Sequence, residues 1–250
     1  MYKFTENETL NQEINNAFFA PARKLIAKVE EVEYTSSENS ENSDPERTVV
    51  HTYLHTDDVQ SIEAERTAQK ENALIGGAFS KKYTIKLLDK NASYSFEGKR
   101  LKPYIGIEYN SKEYYAPFPE ADVYEATYDS VKKLWTLVCC DDMQKLDGLL
   151  IKDLRFDSQS ATLLEYAGAL CAQAGLELEN TSIFNGNLSF PLNDFSGEQT
   201  VSGAPNLSGN ETFREVLESV AEAALSNAVI TRDGKVKLVP VGVLLNQSAD

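Results

Sequence analysis

The stretch Asn210–Pro240, NETFREVLESVAEAALSNAVITRDGKVKLVP, decides how the chain is read. Phe213, Val216, Leu217, Val220, Ala221 and Ala224 recur at i, i+3, i+4, i+7, i+8 and i+11, so they share one helix face. Thr212 and Glu215 make a capping box: the hydroxyl accepts from an orphan N–H and the carboxylate reaches back. Ala228-Val229-Ile230 follows as a strand. Asp233-Gly234 predicts a type I′ hairpin turn, because glycine accepts the positive φ that such a turn needs. Val236, Leu238 and Val241 then form the return strand.

Fifty residues upstream stands a second unit of the same kind, Thr162–Leu178, TLLEYAGALCAQAGLEL. Thr162, Leu163, Glu165, Tyr166, Leu170 and Ala174 fall opposite Thr212, Phe213, Glu215, Val216, Val220 and Ala224. Each unit puts a small-residue-rich helix ahead of a short strand. Gly175 takes the place of a helix C′ residue in the left-handed conformation. Two copies are too few for a solenoid and predict one domain built from two helix–strand halves.

Upstream of these units the chain is a run of short strands. Asn7–Phe18 reads as an amphipathic helix ended by Pro21, and Arg23–Tyr34 as a strand. Ser36–Glu46, SSENSENSDPE, holds no apolar residue and is expected to be a flexible acidic loop. Thr48–His55, Val59–Ala68, Lys82–Leu88, Arg100–Tyr109, Lys112–Phe118, Ala121–Tyr128 and Lys133–Cys140 follow as strands. Leu74–Phe79, with its paired glycines, reads as a loop. Close spacing with turn residues between the strands argues an antiparallel sandwich or barrel. Asn180–Gly209 is a long polar connection around Leu188-Ser189-Phe190. The fold class expected is therefore α+β and predominantly β. Residues 1–147 form an antiparallel β-barrel-like first domain with an N-terminal helix, and 148–250 a helix–strand α+β domain.

The chain has 250 residues and a net charge of -15, a surface that repels nucleic-acid phosphate and acidic membranes. No sequence-specific nucleic-acid binding and no membrane insertion are expected, although an acidic wall suits a lumen through which DNA passes. The N-terminus has no apolar core of a signal peptide. Three cysteines, two of them adjacent, fit a reduced protein made inside the cell.

His51 and His55 lie four apart on a strand, too far to chelate one ion, and read as surface histidines. Asp141-Asp142 follows a strand and could bind a divalent ion, but such pairs are common at strand ends. Cys139-Cys140 sits among apolar neighbours and reads as core thiol. Tyr104, Tyr109, Tyr114, Tyr115, Tyr124 and Tyr128 suit sheet packing or a protein interface. No GxSxG elbow, phosphate-binding glycine loop or HExxH motif occurs. No catalytic, cofactor-binding or metal residue is singled out.

Three strand segments stand in a telling order: Ala78–Leu88, AFSKKYTIKLL; Phe96–Glu108, FEGKRLKPYIGIE; and Leu134–Leu146, LWTLVCCDDMQKL. Followed by the Thr162–Leu178 and Thr212–Pro240 segments, they resemble the tail-tip (baseplate) hub proteins of bacteriophages and prophages over about Arg23–Pro240. The resemblance implies a structural protein of a phage tail tip, made in the bacterial host cytoplasm. Three copies would form a homotrimeric ring that joins the tail tube and distal tail proteins to a central spike or fibre, and that opens to pass DNA. It implies no enzyme, no cofactor and no catalytic residue. The chain departs from the family at Leu225-Ser226, where members carry glycine, and in the acidic Ser36–Glu46 insert. Two other readings stay open from the residues: a carbohydrate- or protein-binding β module, favoured by the tyrosine-rich strands, and a cell-wall (peptidoglycan) hydrolase using carboxylates.

Overall fold

A computed structural model describes residues 2–35, 46–67, 75–88, 92–156, 159–179, 182–192 and 204–241. The expected flexible loop Ser36–Glu46 lies outside them except for its last residue. The chain is α+β and mostly β, and it divides into two compact units. One comprises residues 1–65 and 82–140, the other 66–81 and 141–250. The segment 66–81 thus belongs with residues far downstream of it.

The first unit begins with helix α1, Glu8–Phe19, whose N-cap Asn7 accepts a hydrogen bond from the Leu10 N–H. Strands β1 (Leu25–Thr35), β2 (Glu46–Leu54), β3 (Val59–Thr67), β4 (Ala78–Leu88), β5 (Arg100–Tyr109), β6 (Lys112–Pro117), β7 (Ala121–Asp129) and β8 (Leu134–Asp141) follow. They pair in the order β3-β4-β8-β7-β5-β1-β2, with β6 also on β5. The β1–β5, β1–β2 and β4–β8 ladders are antiparallel. Alternation turns one face of β4, β5 and β8 to a common core: Tyr83, Ile85, Leu87, Leu101 and Leu137 are wholly buried there. Tyr53 of β2 and Val59 of β3 belong to the same core although they lie at opposite ends of the strand order. The sheet is therefore curled, but among the described residues no ladder joins β2 to β3, and the barrel expected from the sequence is not closed. Ile14 and Phe18 of α1 pack on Ile107 and Ala116, which extends the apolar face along β5 and β6.

Asn110 and Ser111, at φ 51° and 59°, make the β5–β6 hairpin, with Tyr109 paired to Lys112. Both central residues have positive φ, the requirement of a type I′ turn. That turn was expected at Asp233-Gly234, where the structure differs. There Thr231 pairs with Lys235 around three residues, and of the three only Gly234 (φ 80°) is left-handed. Register decides this, because Ile230 faces Val236 and leaves a loop too long for two residues.

The second unit contains β9 (Ser160–Thr162), α2 (Leu163–Gln173), β10 (Ser189–Pro191), α3 (Phe213–Ala223), β11 (Ser226–Ile230) and β12 (Val236–Pro240). Both helices have eleven residues, and both start with a complete capping box, Thr162 with Glu165 and Thr212 with Glu215. Each box contributes about 1 kcal/mol of helix stability. Leu163, Tyr166, Ala167, Leu170 and Cys171 are buried on α2; Phe213, Val216, Leu217, Val220 and Ala221, fifty residues on, are buried on α3. The internal repeat is thus a repeat of buried positions. β11 pairs antiparallel with β12 and parallel with the start of β4, Ala228 to Ala78 and Val229 to Phe79. Ala78 and Phe79 are therefore strand, where the paired glycines had suggested loop.

Candidate functional site

The densest polar arrangement in the first unit is built on Glu120, between β6 and β7. Its carboxylate accepts from the Tyr34 hydroxyl (2.6 Å), Arg47 Nε (2.8 Å) and Arg100 Nε (3.0 Å), and Lys102 Nζ stands 3.6 Å away. The second anion of the group is Glu30, which accepts from Lys28 (2.7 Å), Arg47 (3.2 Å) and the Tyr104 hydroxyl (2.7 Å). The register explains the gathering: Lys28 lies opposite Tyr104 and Glu30 opposite Lys102 across β1 and β5. Burial alone would push Glu120 up. The hydrogen bonds from Tyr34, Arg47 and Arg100 and the charge of Lys102 outweigh it and hold the carboxyl at about 2. A carboxylate so held stays ionised at neutral pH and fixes side chains of three strands, β1, β2 and β5, in place; it does not exchange protons there.

A second carboxylate lies inside the core. Glu31 is wholly buried and accepts from the Tyr94 hydroxyl at 2.6 Å to each oxygen, with Lys99 Nζ at 3.1 Å. Burial, then the bond to Glu31, pushes Tyr94 up to about 12. Beside this core a cavity of about 440 Å³ is lined by Ile26, Ala27, Val59, Ile62, Ile105 and Phe118, a size that suits a small apolar group.

His51 stands on β2 with its ring 4.3 Å from that of Tyr53, and His55 begins the turn after β2. Asp141 is buried and accepts from Ser80 Oγ (2.8 Å) and the N–H groups of Lys81 (2.9 Å) and Met143 (3.2 Å), so it caps a 3-10 turn. Burial pushes its carboxyl up against those bonds. Asp142 pairs with Lys145 at 2.9 Å. Among the described residues no three His, Cys, Asp or Glu side chains gather where one ion could be held. Burial pushes the Cys139 and Cys171 thiols up to about 12, which makes them poor nucleophiles. Of the tyrosines, Tyr104 and Tyr115 contact one another and share Lys28 over their rings, whereas Tyr124 is 72% exposed.

Sequence reasoning missed Arg214 and Glu218 in the second unit. Both are charged, both are buried, and they sit four apart on α3. Arg214 donates to the Ala78 carbonyl from Nε (3.1 Å) and Nη2 (2.8 Å), to the Thr67 carbonyl (3.2 Å) and to Asp147 (3.0 Å). Glu218 accepts from the Ala78 N–H at 3.3 Å, and Asn227 from that of Gly77 at 2.9 Å. Nothing local in TFREVLES signals this, because the partners are supplied by a segment distant in sequence.

No helix among the described residues is long and apolar enough to cross a membrane. No family model matches the chain, and no curated protein matches it. Among solved structures it is similar to the crystal structure of the 43 kDa tail protein of prophage MuSo2 from Shewanella oneidensis. Identity is 11% and the TM-score 0.44, over 86% of this chain and 54% of that one. The chain spans about half the length of that protein, and a likeness so distant carries no argument about function.

Proposed function

We propose that the chain is a structural protein of a phage or prophage-derived tail, and that within the tail it is a hub at the tip. Three copies form a ring that joins the tail tube to a central spike or fibre and lets DNA pass, with the curled sheet as a barrel-like part of its wall. One observation carries the reading: the segments that resemble hub proteins are elements in the same order. Ala78–Leu88 is β4, Phe96–Glu108 contains most of β5, and Leu134–Leu146 contains β8. The two last segments are the equal, equally capped helices α2 and α3 with the strands around them. The clamped carboxylates suit such a role, because they hold a surface rigid and offer no proton to a substrate.

Antibody labelling of tailed particles released after prophage induction tests this, viewed by electron microscopy. Label at the distal end of the tail is the expected result. Intact particles with an accessible tip and no label would overturn it. One observation favours a second reading, a protein-binding β module: Tyr34, Tyr104, Tyr115, Arg47 and Arg100 share one ordered surface, and tyrosine and arginine are the side chains interfaces favour.

A further inference from the structure

We propose that the cavity of the first unit is a binding site for a neutral small molecule, an apolar ring or chain that bears one hydroxyl. The cavity, about 440 Å³, lies where the curled sheet does not close. The β1–β2 ladder ends with Lys28 opposite Leu54, so residues 25–27 of β1 run on past β2. Across the cavity from them stands β3, and among the described residues no ladder joins the two strands. β1 supplies Ile26 and Ala27 to the lining, β3 supplies Val59 and Ile62, and β5 supplies Ile105. The volume falls in the range of small-molecule sites, roughly 300–1,000 Å³. Leu25, 46% exposed, and the exposed Gln60 and Ala64 also line it, so the cavity opens to solvent and a ligand enters without parting the sheet.

Two polar atoms select the occupant. His55 and Ser61 line the cavity, and the imidazole Nδ1 and the hydroxyl Oγ are buried without a hydrogen-bond partner among the described residues. Buried polar atoms ordinarily have one. Both residues are held by their backbones: the His55 N–H donates to the Ala27 carbonyl at 3.0 Å, and Ser61 lies within β3. A ligand hydroxyl answers the pair. The serine hydroxyl donates or accepts, Nδ1 does either according to its tautomer, and a ligand hydroxyl does both. No Asp, Glu, Lys or Arg lines the cavity, so an ionised ligand would give up its hydration without a counter-charge of that kind. The inference stands apart from the tail reading, since it rests on this cavity alone.

The test uses the full chain and naphthol as the probe, with binding read by equilibrium dialysis and place read by nitrogen NMR of the imidazoles. Naphthol is expected to show one saturable site, with naphthalene, which lacks the hydroxyl, bound about fivefold more weakly. The chain has two histidines, and only His55 lines the cavity, so His51 serves as the internal control. Saturation with naphthol is expected to move the His55 ring resonances and leave those of His51 in place. Ser61→Ala is expected to weaken naphthol about fivefold and to leave naphthalene unchanged. Thermal melting of this variant should be unchanged or higher, because a buried oxygen without a partner is removed. No saturable uptake of naphthol would overturn the proposal, as would uptake that leaves the His55 ring unmoved. Naphthalene or naphthalene sulfonate binding as tightly as naphthol would overturn it too, and so would an unchanged naphthol affinity in Ser61→Ala.

Discussion

Leu225 occupies a place that favours glycine. It follows the C-cap of α3 at φ 48°, where the matching residue after α2 is Gly175 at φ 69°. A left-handed conformation costs a residue with a Cβ about 1–2 kcal/mol. The side chain is 49% exposed, so little packing offsets that strain. Leu225→Gly is expected to stabilise the protein by about 0.5–1 kcal/mol, seen as a higher denaturation midpoint. Gly175→Ala is the converse: an added Cβ meets no atom within 4 Å, so the expected loss of about 1 kcal/mol is backbone strain alone. Glu120 gives a prediction against pH. Its carboxyl is held at about 2, below its ordinary 4.5, so its contribution is complete above 4.5 and is lost as pH falls toward 2. Glu120→Gln should cost about 3 kcal/mol at neutral pH, and the gap from wild type should close through that window in urea titrations. The resemblance to hub proteins made Leu225 legible from sequence as a departure. Glu120 was not legible, because its partners Tyr34, Arg47 and Arg100 meet it only through strand register.

Helix α3 shows how far an element can be read alone. Its capping box and its apolar face were written in TFREVLESVAEAA, and both stand in the structure. Its other buried face, Arg214 and Glu218, answers to Thr67 and Ala78 and was invisible to local periodicity. Arg214→Ala strips donors from the Ala78 and Thr67 carbonyls and removes a partner of Asp147. A loss of about 3 kcal/mol is expected by denaturant melting. Arg214→Lys should recover little, because an ammonium cannot reproduce the planar fork that reaches three acceptors. The hairpins carry the same lesson. Asp233-Gly234 was visible as a turn and Asn110-Ser111 also makes one, but pairing of the flanking strands decides which loop holds two residues and which three. The β2 edge was predicted as an alternating strand, yet its alternation buries almost nothing. Sequence shows that a strand exists; it does not show whether a neighbour covers it.

At the scale of the molecule, the predominantly β, α+β class was legible from strand spacing and from the two helix–strand units. The assignment of 66–81 to the second unit was not, since a short passage with paired glycines looks like any connection. Residues 141–250 expressed alone lack the two carbonyl acceptors of Arg214 and the parallel strand partner of β11. They are expected to melt without cooperativity by circular dichroism. The same residues preceded by 66–81 through a flexible linker are expected to melt cooperatively. Retained cooperativity in the shorter fragment would show that Ala78 and Phe79 are dispensable to that unit.

The bond from Gly77 to Asn227 spans 150 residues of chain. A ribosome adds about 5–20 residues each second, so the strand made of Ala78 and Phe79 waits on the order of ten to thirty seconds for its partner to be synthesised. During that interval the nascent chain carries Ala78, Phe79 and the amides of Gly76 and Gly77 without their partners at residues 226–229. Conditions that slow translation late in the message should therefore lower the yield of folded protein more than conditions that slow it early.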